Sequence, residues 1–312
     1  MYDCGAESVA YDSIVLVKQV PDTANVTADA MKEDGTVNRG ALPAIFNPED
    51  LHALEAALEV KERFGGTVTA MTMGPPKAGE VLRDCLFRGA DRAILLTDRR
   101  AAGSDTLATS YILAQAVKTI GRYDFVFAGR QAIDGDTAQV GPQCAQKLGI
   151  PQITYLEEVV SLEGDTVRIR RNIGHGWEVV ETRLPILATV IETANEPRPQ
   201  AARRVMRMKH ARATVEIEGA VRNGMPDADD AARQAEVKKR AEALRQRGLL
   251  IEQWGLDEIG ADPARCGLSG SPTKVYRIQA IVLKKEGHTQ VPATEEGVRG
   301  MIHELVVDRT LG

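Results

Sequence analysis

The chain of 312 residues has few aromatic side chains and no closely spaced cysteines. Aromatic residues make up 4% of it, too few for the stacking platforms that bind single-stranded nucleic acids, and a net charge of -5 also argues against a nucleic-acid partner. The four cysteines (Cys4, Cys85, Cys144 and Cys266) are scattered without a C-x-x-C pair. They therefore predict reduced thiols in a cytosolic protein, and no zinc, iron–sulfur or dithiol site.

Long apolar runs and nucleotide-hydrolysis motifs are also missing. No apolar run approaches the roughly 20 residues that cross a bilayer, and the acidic N-terminus lacks the basic start of a signal or transit peptide. We therefore expect a cytoplasmic protein without membrane insertion. Neither G-x-G-x-x-G after the first predicted strand nor G-x-x-x-x-G-K-[ST] occurs, so a nucleotide can bind but has no machinery for its hydrolysis.

Apolar runs and helical patterns alternate regularly over the first 150 residues. The patterns predict strands at 13–20, 67–73, 92–97 and 124–128, with helices at 47–64, 79–89 and 105–120 between them. This alternation is typical of an α/β fold with a doubly wound, mostly parallel sheet. Sheets of that kind bind ligands at the carboxyl ends of their strands.

The connection at residues 129–141 is rich in polar groups. It joins the fourth predicted strand to a helix predicted at 137–148, and residues 134–137 (Asp-Gly-Asp-Thr) are types that cap helices. Backbone N–H groups at a helix start suit an anion, above all a phosphate or pyrophosphate. An ordinary N-cap has the same pattern, but the additional Arg130 and Gln131 exceed what closing a turn requires and favour a ligand site.

Three predicted strand ends, at Val20, Met73 and Gly129, should line a single crevice. Asn47 is predicted as the N-cap of the first helix, with Pro48 at its first position, and this helix start should lie at the same edge. The sequence therefore predicts a ligand crevice formed by separate parts of the chain.

The pattern changes after residue 154. Alternating residues at 166–171 and 177–182 predict a β-hairpin, and 185–191 predicts a further buried strand. The prolines at 195–199 must leave the sheet, because they cannot donate ladder hydrogen bonds. The basic segment 201–210 is compatible with a solvated surface helix or with a docking arm whose methionines and cations meet an acidic partner.

The C-terminal third has weaker patterns. A helix is predicted at 226–248, started by Pro226 and Asp227, and the Gly/Pro/Ser-rich residues 255–273 are predicted to be a linker. A late strand is predicted at 276–283, followed by a closing helix at 294–308 with an imperfect capping box.

Several separated motifs agree in order and spacing with one family. They are Val17-Lys18-Gln19-Val20-Pro21-Asp22, Asn47-Pro48, Met73-Gly74-Pro75, Gly89-Ala90-Asp91-Arg92, Gly129-Arg130-Gln131-Ala132-Ile133-Asp134-Gly135-Asp136-Thr137 and Asn195-Glu196-Pro197-Arg198. From about residue 13 to about residue 215 the chain resembles the beta (small) subunit of electron transfer flavoproteins. The resemblance implies a fold of the adenine-nucleotide-binding type.

The resemblance implies an electron carrier that is not an enzyme alone and has no catalytic or metal-binding residues of its own. Such a subunit forms a heterodimer with a larger alpha subunit, whose flavin exchanges electrons with dehydrogenases, including the acyl-CoA type. The beta subunit holds AMP in simpler members. In electron-bifurcating members it holds a second FAD, which NADH reduces and whose electrons pass to a high-potential acceptor and to ferredoxin or flavodoxin. Residues 135–142 and 270–273 are similar to the bifurcating group and favour FAD.

The family's binding residues carry over by position. The adenosine would be surrounded by Leu16, Asn47, Pro48, Glu49, Asp50 and Met73, and the phosphates by Gln131, Ala132, Ile133, Asp134, Gly135, Asp136, Thr137, Ala138, Gln139, Val140, Gly141 and Pro142. The docking residues would be Ala202, Val205, Met206 and Met208. A leucine usual in the family's docking loop is replaced by Ala202, so Val205 or Met206 would have to supply the apolar contact.

The resemblance also suggests a division of the chain. We expect an N-terminal extension at 1–12, an α/β nucleotide-binding core at 13–195, and a C-terminal part at 196–312 with the docking arm, an inserted helix and elements that pack on the alpha subunit. Two alternatives to a bifurcating subunit are a non-redox module that holds AMP and a stand-alone nucleotide-binding module of the universal-stress type. The late Gly-rich phosphate loop expected of the latter is missing.

Overall fold

Strands and helices alternate along most of the chain in a computed structural model that describes residues 10–22, 42–273 and 290–307. In chain order the elements are β1 (Ser13–Leu16), β2 (Gln19–Pro21), β3 (Ala44–Phe46), α1 (Pro48–Phe64), β4 (Val68–Met73), α2 (Gly79–Arg88), β5 (Arg92–Leu96), α3 (Thr106–Ile120), β6 (Phe125–Gly129), α4 (Val140–Leu148), β7 (Gln152–Glu163), β8 (Thr166–Asn172), β9 (Trp177–Arg183), β10 (Ile186–Val190), α5 (Ala202–Met208), β11 (Arg212–Ala213), α6 (Thr214–Gly224), α7 (Asp230–Gln246), β12 (Leu250–Trp254) and α8 (Glu295–Val307).

The main sheet has ten strands in the order β11-β12-β5-β4-β1-β6-β10-β7-β8-β9. Its strands are parallel from β11 to β7, and β7, β8 and β9 are antiparallel to one another. This arrangement confirms the predicted α/β fold with a doubly wound, mostly parallel sheet, and it confirms the hairpin. The chain runs outward from β1 to β4 and β5, then returns to β6 on the other side of β1. The topological switch point therefore lies between β1 and β6.

Apolar side chains cover both faces of the central strands. In β1, Val15 packs with α1 and α2, whereas Ile14 and Leu16 face the layer of α3 and α4. Strands β1 and β6 are buried along their whole length, which explains their nearly continuous apolar sequences. The two helical layers hold the carboxyl ends of the parallel strands at one common edge.

Three predicted element boundaries were wrong. The first strand ends at Leu16, because the next residues form β2 and pair with β3 in a separate two-stranded sheet. The helix predicted from Thr137 begins at Val140, and the one predicted from Pro226 begins at Asp230. In the latter, Asp229 is the N-cap and its side chain accepts a hydrogen bond from the backbone N–H of Ala232.

The predicted linker at 255–273 was also wrong. Leu256, Ile259 and Cys266 of this segment are buried against the α3 layer, directly after β12, which joins the sheet beside β5. The glycines and prolines of this segment make turns within a packed structure. The strand predicted at 276–283 lies outside the described residues. None of the helices in the described part of the chain is both long and apolar enough to span a membrane.

Candidate ligand-binding crevice

The carboxyl ends of β1 and β6 meet at the switch point. Leu16 of β1 pairs with Ala128 of β6 and with Met71 of β4, so these neighbouring strands end together. Met73 ends β4 and is half-buried against the α3 layer. Val20, which was expected at this edge, instead lies in the small sheet opposite Ile45. The edge is completed by residues 130–139, which leave β6 and lead to α4.

Asn47 is fully buried, and its side chain holds residues 131–133 by two hydrogen bonds. Its side chain makes no capping hydrogen bond, contrary to the prediction. Instead Nδ2 donates to the carbonyl of Gln131 at 2.9 Å, and Oδ1 accepts from the backbone N–H of Ile133 at 3.1 Å. An amide side chain supplies the donor and the acceptor that these two backbone groups need, which a carboxylate or hydroxyl does not do in the same geometry.

The first turn of α1 places two buried carboxylates beneath the strand ends. Asp50 accepts hydrogen bonds from the backbone N–H groups of Lys18 at 2.8 Å and Gly129 at 3.0 Å. Glu49 accepts from the backbone N–H of Gln131 at 2.7 Å and pairs with the guanidinium of Arg130 at 2.7 Å. The side chains of Glu49 and Asp50 thus bind the ends of β1 and β6, and their contact with an adenosine stays a prediction.

Burial is the main influence on the Asp50 carboxyl group. It raises the pKa of Asp50 to about 7, although hydrogen bonds from Asn47, Gly129 and Lys18 act in the opposite direction. The close approach of α1 also depends on Gly129, because a Cβ atom there would lie 2.5 Å from Oδ1 of Asp50. The sequence places Gly129 at a strand end beside the predicted crevice but does not predict its close contact with Asp50.

Further side-chain contacts hold residues 130–139 in place. The Nζ atom of Lys18 lies 2.7 Å from the carboxylate of Asp134, and the Gln131 side chain donates to that of Asp136 at 3.0 Å. The Thr106 hydroxyl donates to the Gln139 side chain at 2.7 Å and links these residues to α3. Lys18 and Thr106 were missed by the sequence reasoning. Lys18 has the signal that it follows β1, the neighbour of β6, whereas Thr106 begins α3 and its position in the sequence gives no such signal.

The backbone before α4 alternates between left-handed and right-handed conformations. Asp136 and Ala138 have φ values of 47° and 51°, and Gln139 follows with φ -101° and ψ -31°. Left-handed angles at residues with side chains are strained, by about 1–3 kcal/mol, and cluster at functional sites. Within the described ranges, no hydrogen bond is donated by the backbone N–H groups of Thr137, Ala138 or Gln139. Alternating hand with unused N–H groups is typical of anion-binding backbone nests.

Helix α4 directs its N-terminus at these N–H groups. It begins at Val140, and Gly141 lets it approach β10, since a Cβ atom there would lie 2.9 Å from Cγ2 of Thr189. The positive end of the helix dipole therefore lies behind residues 137–139. Of the predicted phosphate residues, Gly135, Asp136, Thr137 and Gln139 are exposed, and Gln131, Ala132, Ile133, Asp134, Ala138, Val140 and Pro142 are half-buried.

The predicted docking residues lie on α5, a helix without any buried residue. Met206 is 65% exposed, and Ala202 is exposed beside it. Val205 is half-buried, and Met208 packs against the core. The segment is therefore a surface helix, and its docking role stays a prediction.

The basic side chains of this helix are not neutralised. In the part of the chain that the structure describes, Arg203, Arg207 and Lys209 form no salt bridge. Lys209 only approaches the Met206 sulfur, at 3.9 Å. The surface therefore combines an apolar side chain with three unpaired cations, on a protein whose net charge is negative.

Residues 34–244 match the family described as the electron transfer flavoprotein domain. The chain is 41% identical over 292 residues to an electron transfer flavoprotein subunit beta of Clostridium acetobutylicum, covering 94% of this chain and 96% of that protein. It is 40% identical over 304 residues to Protein FixA of Bradyrhizobium diazoefficiens, covering 95% and 92% of the two chains. It is also 40% identical over 290 residues to the caffeyl-CoA reductase-Etf complex subunit CarD of Acetobacterium woodii, covering 93% and 95%.

Proposed function

Because the chain belongs to the electron transfer flavoproteins, among their beta subunits, we propose that it holds FAD in the crevice between β1 and β6 and carries electrons as a heterodimer with an alpha subunit. Its membership rests on the matched family domain and on about 40% identity over nearly the whole chain. The identity of the ligand, the path of the electrons and the identity of the partners are what we propose.

The unused N–H groups of Thr137, Ala138 and Gln139 are the observation that carries the ligand assignment. They directly precede the α4 N-terminus, where a diphosphate would be stabilised without a lysine. The adenosine would lie over the ends of β1 and β4, beside Leu16 and Met73. Asn47, Glu49 and Asp50 would hold the crevice in shape from below, because their side-chain oxygens already accept backbone hydrogen bonds.

FAD is favoured over AMP by the kind of relative that the chain resembles. CarD belongs by its name to a reductase–Etf complex, and it covers 93% of this chain. A second FAD, when bound, supplies hydride acceptance from NADH and passes the two electrons separately to a high-potential acceptor and to ferredoxin or flavodoxin. The contribution of this chain is to bind the phosphates, orient the cofactor and set the polarity around it.

The α5 surface is proposed to meet a flavin dehydrogenase, of the acyl-CoA type. Exposed Met206 supplies an adaptable apolar contact, and unpaired Arg203, Arg207 and Lys209 suit an acidic surface. Charge complementarity of this kind mainly speeds association, so electron transfer should slow at high ionic strength.

The experiment that tests the proposal is cofactor analysis of the purified heterodimer. Two flavins per heterodimer, both released as FAD, support FAD in the beta subunit. One FAD with one AMP would exclude a second flavin and with it electron bifurcation. Purification without a larger flavoprotein would overturn the heterodimer and favour a stand-alone nucleotide-binding module.

Residues 136 and 137 provide a matched test of the crevice. Asp136→Leu and Thr137→Leu should lower nucleotide affinity about 10–100-fold, because a bulky apolar side chain strains the nest and crowds the phosphates. Asp165→Leu is the control, since Asp165 lies in the exposed turn between β7 and β8. Cofactor content after dialysis measures the effect. Equal retention in all three variants would contradict the assignment.

A further inference from the structure

The segment that leads to α5 is clamped by Arg198. Nε and Nη2 of its guanidinium donate to Glu55 at 2.9–3.0 Å, its backbone N–H donates to the same carboxylate at 2.9 Å, and the guanidinium also binds Glu62. Arg88 donates to the Arg198 carbonyl. Glu55 is almost completely buried, so its charge is compensated mainly by this one guanidinium.

The neighbouring residues are held on both sides of the clamp. The Asn195 amide donates to the His52 carbonyl at 3.1 Å, and its two oxygens lie 3.0 and 3.1 Å from Nδ1 of His52. The backbone N–H of Ala201 donates to the carbonyl of Phe87 at 3.1 Å, and the Gln200 side chain donates to Asp84 at 3.1 Å. A segment without helix or strand is thereby fixed on α1 and α2.

We propose that Arg198 is a positioning residue for partner docking, which holds residues 195–201 on α1 and α2 so that α5 presents Met206 and its cations in one direction. Helix α5 has seven residues and buries none of them, and isolated helices of that length are unstable. Its orientation therefore depends on the segment that precedes it. A docking surface fixed in advance loses less entropy on association.

The chemistry of the clamp requires arginine. A planar guanidinium reaches two carboxylates with separate N–H groups, and the hydrogen bond from Arg198 lowers the pKa of Glu62. Lysine offers one compact charge and cannot bridge Glu55 and Glu62 with the same geometry. Since Glu55 lies on α1, the helix that also carries Glu49 and Asp50, the clamp fixes the arm in the same frame as the crevice.

Two variants break the clamp with opposite changes of charge. In the purified heterodimer, Arg198→Gln makes the surface more negative and Glu55→Gln makes it more positive. Both should raise amide exchange of residues 195–208 about tenfold. Arg198→Lys should restore part of the protection. Arg203→Gln removes a solvent-exposed cation of the arm and should leave exchange unchanged.

Electron-transfer kinetics then distinguish a positioning role of Arg198 from an effect of the changed surface charge. This part rests on the proposed function and uses an acyl-CoA dehydrogenase, reduced by its acyl-CoA, as the probe. Both clamp variants should raise KM for the dehydrogenase about tenfold with kcat within about twofold, whereas charge alone would make Glu55→Gln lower KM. Arg203→Gln should mainly weaken the salt dependence.

Unchanged exchange and unchanged KM in Arg198→Gln would overturn the proposal, and so would opposite effects on KM of the two clamp variants. Loss of the cofactor or of the alpha subunit in Arg198→Gln would overturn it as well, because the role would then be general stability. If the wild-type heterodimer accepts no electrons from the dehydrogenase, the proposed partner is wrong, and amide exchange still decides whether the clamp holds the arm.

Discussion

The N-terminal turn of α1 and the middle of the same helix hold two other segments of the chain with different chemical groups: the N-terminal turn holds the strand ends at the candidate crevice, and the middle holds the segment that leads to α5. At the N-terminal turn, Asp50 accepts hydrogen bonds from the backbone of Lys18 and Gly129 in a buried setting. Farther along, Glu55 binds a guanidinium that water partly reaches, since the Arg198 side chain is 28% exposed. The crevice is thus held by buried carboxylates on backbone N–H groups, and the arm by an ion-pair network that extends from the buried Glu55 to the exposed Glu62.

Because of this difference, the crevice and the arm should be sensitive to different conditions. Buried hydrogen bonds depend on close packing and on the protonation of one carboxyl group, and salt screens them little. The clamp depends on charge, and its outer carboxylate, Glu62, is 61% exposed. We therefore expect the crevice to respond to small changes of volume and to pH, and the arm to respond to ionic strength.

The largest expected effect comes from Gly129→Ala. The added Cβ atom would lie 2.5 Å from Oδ1 and 2.7 Å from the backbone N of Asp50, so α1 must move away from β6. Overpacking of this kind reduces the free energy of unfolding by about 1–3 kcal/mol, and the lost hydrogen bond adds to it. The urea midpoint should fall, and so should the content of the flavin proposed above.

Gly135→Ala is the matched control for this substitution. Gly135 lies in the same connection, and no atom lies within 4 Å of the Cβ position there. It should leave the urea midpoint nearly unchanged. An equal decrease in both variants would show that the contact of α1 with the end of β6 does not limit packing.

A smaller effect is expected from pH, through Asp50. Its pKa in the folded protein, about 7, lies above the ordinary value of 3.8, so the folded state binds more protons than the unfolded state between these values. The contribution of Asp50 to stability is therefore greatest at low pH and is lost as the pH rises through 7. From pH 5.5 to pH 8 the wild type should lose about 1–2 kcal/mol relative to Asp50→Asn.

Urea unfolding of both proteins at the two pH values measures this difference. The comparison cancels all other titrating groups that the two proteins share. A constant difference between wild type and Asp50→Asn from pH 5.5 to pH 8 would mean that Asp50 is ionised throughout, and that its backbone hydrogen bonds outweigh burial.

The sheet and the edge at which its parallel strands end were predictable because their signals are local. Apolar runs and Gly/Pro turns define β4 and the hairpin of β8 and β9, and the alternation with helices defines the mostly parallel sheet. The packed segment after β12 was missed, since its buried residues, which include Leu256, Ala261 and Cys266, do not continue a helical or strand period.

Neither the hydrogen bonds that support the crevice nor the clamp formed by Arg198 could be predicted from the local sequence pattern. Asn47 has the sequence context of an N-cap, yet its side chain binds Gln131 and Ile133, more than 80 positions later in the chain. Arg198 and Glu55 are likewise 143 positions apart. A polar side chain that can cap a helix can equally bind a distant backbone, and tertiary packing decides between the two.

The smallest effect is expected from Glu62→Gln, which tests the surface side of the comparison. Glu62 is the exposed one of the two carboxylates on Arg198, so its loss should reduce the free energy of unfolding by less than about 1 kcal/mol at low salt and by almost nothing at 1 M salt. Glu59→Gln, on the same helix and also exposed, forms no salt bridge in the described part of the chain and is the control. Urea unfolding at the two salt concentrations measures both. A loss in Glu62→Gln that persists at high salt would mean that the arm is held as the crevice is, by contacts that water and ions do not reach.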